Sequence, residues 1–230
     1  MIKMTYSDSG FKLSETYYDE RKHLTKRLGT TPHIEWKYDD KGKTLEESYY
    51  DEKLQPVNIQ FGYASIRYKY DQHGNKLSEY YYNKDGKTTT NHKGVAGLSY
   101  KYNQFNLPVV IGKHDTKGGL TKGTETFALA CITYDDRHNI VKESYYDEQG
   151  KLVLQENEYA VIEHTYNDKG QKTEDRFYDE NGKLYAGKDG SAAIRHEYDT
   201  HGRETRTTHL GLDMRPHKQD EGYATEEKGC

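Results

Sequence analysis

The 230-residue chain carries 34 basic and 38 acidic side chains, a net charge of −4, and so has no surplus positive charge with which to hold a phosphate backbone; nucleic acid is not an expected partner. A mean hydropathy of −1.17 and the lack of a long apolar run argue against membrane insertion, and the opening MIKMTYSDSG has no apolar centre of the kind a secretory signal needs. Two cysteines are too few for a disulfide framework, and neither has metal-ligand spacing: Cys131 reads as a small strand residue and Cys230 as an exposed thiol.

Only 32% of the residues are hydrophobic, a share that would suggest disorder if 23 tyrosines did not supply the missing burial. The tyrosines recur. Tyr6, Tyr38, Tyr70, Tyr102, Tyr134, Tyr166 and Tyr198 fall 32 residues apart with no insertion. A second anchor follows 12 residues later as Tyr18, Tyr50, Tyr82, Tyr146 and Tyr178, with His114 and Leu210 in that place in the fourth and seventh copies. A fixed period of this length marks a repeat array, in which each copy buries its apolar face against its neighbours. The expectation is one array over residues 1–230, with seven copies and a partial eighth at 222–230. Its ends are expected to meet further repeats, a second copy or a capping partner, because repeat arrays need polar caps.

Within one copy the elements follow in order. Ala64, Ile66, Tyr68 and Tyr70 alternate with polar residues, as do Ala96–Tyr102, Ala160–Tyr166 and Ala192–Tyr198, which predicts a first strand with one covered face. Asp71-Gln72-His73-Gly74 then predicts a reversal, with Asp accepting from backbone N–H groups and Gly supplying a positive φ; Asn106 stands in for Gly in the fourth copy. Lys76 to Tyr82 is a second strand, closed by a second turn at Asn83-Lys84-Asp85-Gly86. A four-residue first loop would set Tyr70 opposite Asn75 and Tyr68 opposite Leu77, placing Ile66, Tyr68, Leu77 and Tyr81 on one apolar face. The stretch after the second turn, such as Lys151-Leu152-Val153-Leu154, predicts a short third strand or a connector. The fold class is therefore all-β, a tandem array of antiparallel hairpins in an elongated or curved sheet, with a parallel β-solenoid as the alternative.

The motif Tyr70-Asp71-Gln72-His73-Gly74, repeated as Tyr198-Asp199-Thr200-His201-Gly202, resembles the YD repeats of bacterial Rhs proteins and toxin-complex components. The resemblance implies a β-sheet strip that winds into a shell around a toxin. Gly62-Tyr63-Ala64 and Gly222-Tyr223-Ala224 also resemble tandem segments of larger bacterial surface or envelope proteins, which implies an extracellular or cell-surface location. Tyr80-Tyr81-Tyr82-Asn83-Lys84-Asp85-Gly86 is similar to choline- and glucan-binding repeats.

One position does not fit a bland sheet. On the face assigned as apolar stand Glu15, Glu47, Glu79, Glu143 and Asp175, each two residues before an aromatic at Tyr17, Tyr49, Tyr81, Tyr145 or Phe177. Unpartnered carboxylates are costly to bury, so this row predicts either a ligand site or a structural ladder. As a site it would bind sugar hydroxyls, or a quaternary ammonium over the rings. As a ladder, each acid would accept from a tyrosine of the adjacent copy. The Asp39-Asp40 and Asp135-Asp136 turns lack the spacing of a calcium loop, and the histidines are scattered, so neither metal nor cofactor is expected. No nucleophile, base and orienter can be picked out, and equivalent residues in a row do not converge on one pocket. The expected function is thus a non-catalytic scaffold or binding module for a protein or glycan. A fragment of a toxin shell and an enzyme with its site at Val109–Asp115 of the divergent fourth copy are the alternatives.

Overall fold

The computed structural model describes residues 1–26, 31–156, 158–217 and 224–227. The chain divides into two compact units, Met1–Thr124 and Glu125–Cys230. Unit 1 holds β1 (Ile2–Tyr6), β2 (Lys12–Tyr17), β3 (His33–Tyr38), β4 (Thr44–Tyr50), β5 (Ser65–Tyr70), β6 (Lys76–Tyr82), β7 (Gly97–Tyr102) and β8 (Pro108–His114). Unit 2 holds β9 (Leu129–Tyr134), β10 (Ile140–Tyr146), β11 (Val161–Tyr166), β12 (Lys172–Tyr178), β13 (Ala193–Tyr198), β14 (Glu204–Leu210) and β15 (Thr225–Glu227). Within each unit every strand pairs antiparallel with the next, so the fold is an array of hairpins and not a parallel solenoid. Of the expected eighth copy, Ala224 and β15 are described; Gly222, Tyr223 and Cys230 lie outside the described residues.

Turn chemistry sets the strand ends. At the first turn the Asp71 N–H donates to the Asn75 carbonyl at 2.9 Å and the Gly74 N–H to the Asp71 carbonyl at 3.1 Å. Asp71 Oδ1 accepts from the His73 and Asn75 N–H groups, both at 2.9 Å. Gly74 sits at φ +84°, and Asn106 (+61°) and His138 (+67°) hold the same place in other copies. The second turn repeats this geometry, with Asn83 bonded to Lys87. So does a third turn, where Asn91 bonds to Val95, Gln155 to Tyr159 and Gly187 to Ser191. This third reversal lies in the stretch expected to be a connector. The third strand is reduced to isolated bridges such as Tyr82↔Thr88 and Tyr146↔Leu152, because the chain enters the third turn almost at once.

The expected register is corrected. Asp71 and Asn75 close a three-residue loop, Tyr70 faces Lys76, and Lys69 already faces Ser78, so Leu77 is an extra residue in a β-bulge. Tyr68 consequently faces Glu79 and Ile66 faces Tyr81. The displacement from expectation is two places, and an even displacement keeps each side chain on its face. Ile66, Tyr68 and Tyr81 therefore still share a face, but Leu77 does not join them across the pair and stays 41% exposed. The same shift recurs beside Tyr6, Tyr38, Tyr102, Tyr166 and Tyr198.

The tightest points are the alanines that open the third to seventh copies. Ala96, Ala128, Ala160 and Ala192 are fully buried. The Ala160 carbonyl accepts from the Tyr145 N–H at 2.9 Å while its N–H donates to the Tyr178 carbonyl at 2.8 Å, so one residue ties together the strands on either side. Ala64 and Ala96 make the same two bonds in unit 1.

Candidate functional site

The register sets Glu47 opposite Trp36, Glu79 opposite Tyr68 and Asp175 opposite His164, while Glu15 faces Met4 and Glu143 faces Ile132; in-strand alternation puts each of the four glutamates beside the tyrosine two residues on. That tyrosine is its donor. Tyr17 donates to Glu15, Tyr49 to Glu47 at 2.5 Å, Tyr81 to Glu79 at 3.1 Å and Tyr145 to Glu143 at 3.2 Å. The ladder therefore forms within a strand, not between adjacent copies as expected. Burial, reinforced by Glu47, pushes the Tyr49 phenol far above its ordinary range; burial and the Glu79 charge do the same to Tyr81.

The row also carries its own cations. Lys12 Nζ lies 2.6 Å from Glu15, Lys76 Nζ 2.7 Å from Glu79 and Lys172 Nζ 2.8 Å from Asp175. Lys12 Nζ also sits 4.2 Å from the centre of the Trp36 ring and Lys76 Nζ 5.1 Å from that of Tyr68. The rings these lysines cover belong to the strand opposite the row, and are not those of Tyr17, Tyr49, Tyr81 or Tyr145. Three residues ahead of an acid, these lysines are readable in the sequence; their meaning depended on the bulge.

The rings of the row interleave with the aromatic that precedes Ala64, Ala128 and Ala160. Tyr63 lies 6.0 Å from Tyr49 and stacks on Tyr81 at 4.7 Å; in unit 2 Tyr145 lies 4.9 Å from Phe127 and 6.0 Å from Tyr159, which stacks on Phe177 at 5.3 Å. Tyr63, Phe127 and Tyr159 had not been singled out as members of this face.

The sixth and seventh copies differ chemically. Phe177 has no hydroxyl to give Asp175, and His164 and His196 stand where earlier copies have Trp36, Tyr68 and Tyr100. His164 Nδ1 lies 2.5 Å from Asp175 and its Nε2 3.5 Å from Glu143; His196 lies 3.4 Å from Asp175 and 2.6 Å from Glu204. Burial pushes the His164 imidazole down, but hydrogen bonds with Asp175 and Glu143 and the Asp175 charge outweigh it and hold it at about 9. The hydrogen bond with His164 in turn holds Glu143 below the usual carboxylate range. Among the described residues no group of three or more His, Cys, Asp or Glu side chains is arranged to hold a metal ion.

In the fourth copy Ile111 takes the acid's place and the buried Lys113 that of the tyrosine. Ser99 Oγ lies 2.7 Å from His114 Nε2, and His114 Nδ1 lies 3.1 Å from the Gly118 carbonyl. Thr16 with His33 (2.7 Å) and Ser191 with His209 (3.0 Å) also join a hydroxyl to an imidazole, so this contact is not peculiar to the fourth copy. Cys131 lies half-buried in β9.

No protein-family model matches the sequence, and no curated protein matches it. Among solved structures, the chain is similar to TcdB2-TccC3-TEV at 15% identity and a TM-score of 0.42, over 92% of this chain and 11% of that one. It is similar to the Tc holotoxin pore of Photorhabdus luminescens at 14% identity and a TM-score of 0.42, again over 92% and 11%. A porin-like protein from Bacteroides uniformis shares 10% identity at a TM-score of 0.33, over 87% of this chain and 84% of that one. The chain spans about a tenth of the length of the toxin-complex chains that it matches.

Proposed function

We propose that this chain is a non-catalytic β-repeat scaffold that presents an extended, tyrosine-rich surface to a protein or glycan at the bacterial cell surface. The observation that carries the reading is the saturation of the row: Glu15, Glu47, Glu79 and Glu143 each accept from the tyrosine two residues on. Equivalent polar groups are used up on their own neighbours, copy after copy, which builds a surface and a spacing. A reaction site needs unlike groups converging on one point.

The experiment is a deletion of two whole periods, residues 33–96, from the full chain. A scaffold of near-independent copies keeps its β-sheet circular dichroism in proportion to the remaining length and still unfolds cooperatively. Global loss of structure would sink the reading. A segment of a shell that encloses or delivers a toxin is the second reading, and it rests on the resemblance of Tyr70-Asp71-Gln72-His73-Gly74 to YD repeats. It requires an adjoining toxin domain, and an adjoining sequence that encodes none would count against it.

A further inference from the structure

Shallow cavities lie between one first turn and the next, and three of them are lined by the same repeat positions. In unit 1 a cavity of about 240 Å³ is lined by Asp39, Leu45, Tyr70 and Asp71, and one of about 460 Å³ by Asp71, Leu77, Tyr102 and Asn103. In unit 2 a cavity of about 470 Å³ is lined by Asn167, Thr173, Tyr198 and Asp199. Each set comprises the acid or amide that opens a turn, the bulge residue, the next copy's anchor tyrosine and the acid or amide that follows it.

Two features of these cavities bear on what they could hold. The bulge turns Leu45 and Leu77 outward at 39% and 41% exposure, so these two copies of unit 1 each leave an aliphatic side chain on the surface. The neighbouring ring is held still, because Tyr70 donates to the Thr44 carbonyl at 3.0 Å and Tyr102 to the Lys76 carbonyl at 2.8 Å. A fixed ring and an exposed leucine, rimmed by carboxylates, amides and lysines such as Lys41 and Lys43, suit a neutral ligand with apolar faces and many hydroxyls. The lining carries both signs of charge, which disfavours a strongly ionic ligand. Spacing narrows the class further. The two unit-1 cavities are separated by two strands of one sheet, about 10 Å, and two sugars of a β-1,4-linked polysaccharide advance by the same length.

We propose that the first-turn cavities of unit 1 form a track for a β-1,4-linked polysaccharide, one disaccharide per repeat. Leucine and tyrosine meet the apolar sugar face, and the turn side chains bond the hydroxyls. The inference rests on the binding-module reading and names its ligand class and its place, which is not the acidic row.

Isothermal titration of the full chain with cello- and chito-oligosaccharides of two, four and six sugars tests it. Affinity is expected to rise at least about tenfold from the disaccharide to the tetrasaccharide, as two cavities act together. The double substitution Leu45→Ser with Leu77→Ser should abolish that step at an unchanged melting temperature, and Leu212→Ser, at another exposed leucine, should leave it intact. Binding that survives the double substitution would overturn the track while leaving a glycan-binding module elsewhere on the chain. No oligosaccharide binding at all would overturn the track too. A protein ligand lost on the same double substitution would then assign this surface to protein, and the scaffold reading would stand or fall on its own deletion experiment.

Discussion

The Tyr70 hydroxyl donates to the Thr44 carbonyl at 3.0 Å, across a sequence separation of 26 residues, and so joins one copy to the one before. Tyr38 to Lys12, Tyr102 to Lys76, Tyr166 to Ile140 and Tyr198 to Lys172 repeat the bond at 2.8 Å. This explains the 32-residue tyrosine: it is a tie between neighbouring copies. Tyr70→Phe should destabilise unit 1 by about 0.5–1.5 kcal/mol, the net worth of one hydrogen bond. Tyr6 is 56% exposed and its hydroxyl bonds Met4 Sδ at 3.2 Å within the same strand, so Tyr6→Phe should change the urea midpoint by little. Equal effects of the two substitutions would refute the assignment.

Ala160 has no exposed surface and bonds the strands on both sides. Two extra methyl groups have nowhere to go without parting β10 from β12. Ala160→Val should cost roughly 1–3 kcal/mol, read as a lower melting temperature of unit 2. Ala160→Gly should cost less than the valine does, since it removes atoms where the larger residue forces strands apart.

Glu79 accepts from Tyr81 at 3.1 Å and pairs with Lys76 at 2.7 Å. Removing the carboxylate strands a phenol and an ammonium together. Glu79→Ala should therefore destabilise by about 1.5–3 kcal/mol, and pairing it with Lys76→Met should recover part of the loss in a double-mutant cycle. Oligosaccharide affinity per folded molecule should not move, because the row is not the proposed track.

Unit 2 should lose stability on the alkaline side of neutrality. The folded state raises His164 to about 9, so the stabilisation is fully present below the ordinary histidine value near 6.5 and disappears as pH climbs through about 9. The facing groups are Asp175, Glu143 and Lys172; both carboxyls are depressed in the folded state, so their contribution is present above their ordinary values and fades on acidification. Denaturant midpoints measured from pH 5 to 9.5 should fall through the upper half of that range. His164→Gln should flatten the fall, and an unchanged slope would remove His164 as its source.

Much of the architecture was legible because it rests on local chemistry. Period-two alternation around Ile66 and Tyr68 marked the strand, and Asp71 with Gly74 marked the reversal, since a turn needs only its own side-chain acceptor and its own positive φ. The third turn was harder to read, because Ile59, Gln155 and Gly187 open it in different copies and no shared acid flags it. The row of Glu15, Glu47, Glu79, Glu143 and Asp175 was visible as an anomaly, but its donors were misplaced to the adjacent copy.

By itself the sequence determined the repeat, the strands, two of the three turns and the shared face of Ile66, Tyr68 and Tyr81, because each depends on residues close together along the chain. Only the tertiary structure decided the pairing. A bulge at Leu77 costs no local signal and becomes evident when the opposite strand is in place, yet it sets Tyr68 beside Glu79 and turns a leucine outward. The ties from Tyr70 to Thr44, the lysine that balances each of Glu15, Glu79 and Asp175, and the cavities between successive turns all follow from that one inserted residue and the neighbour it faces.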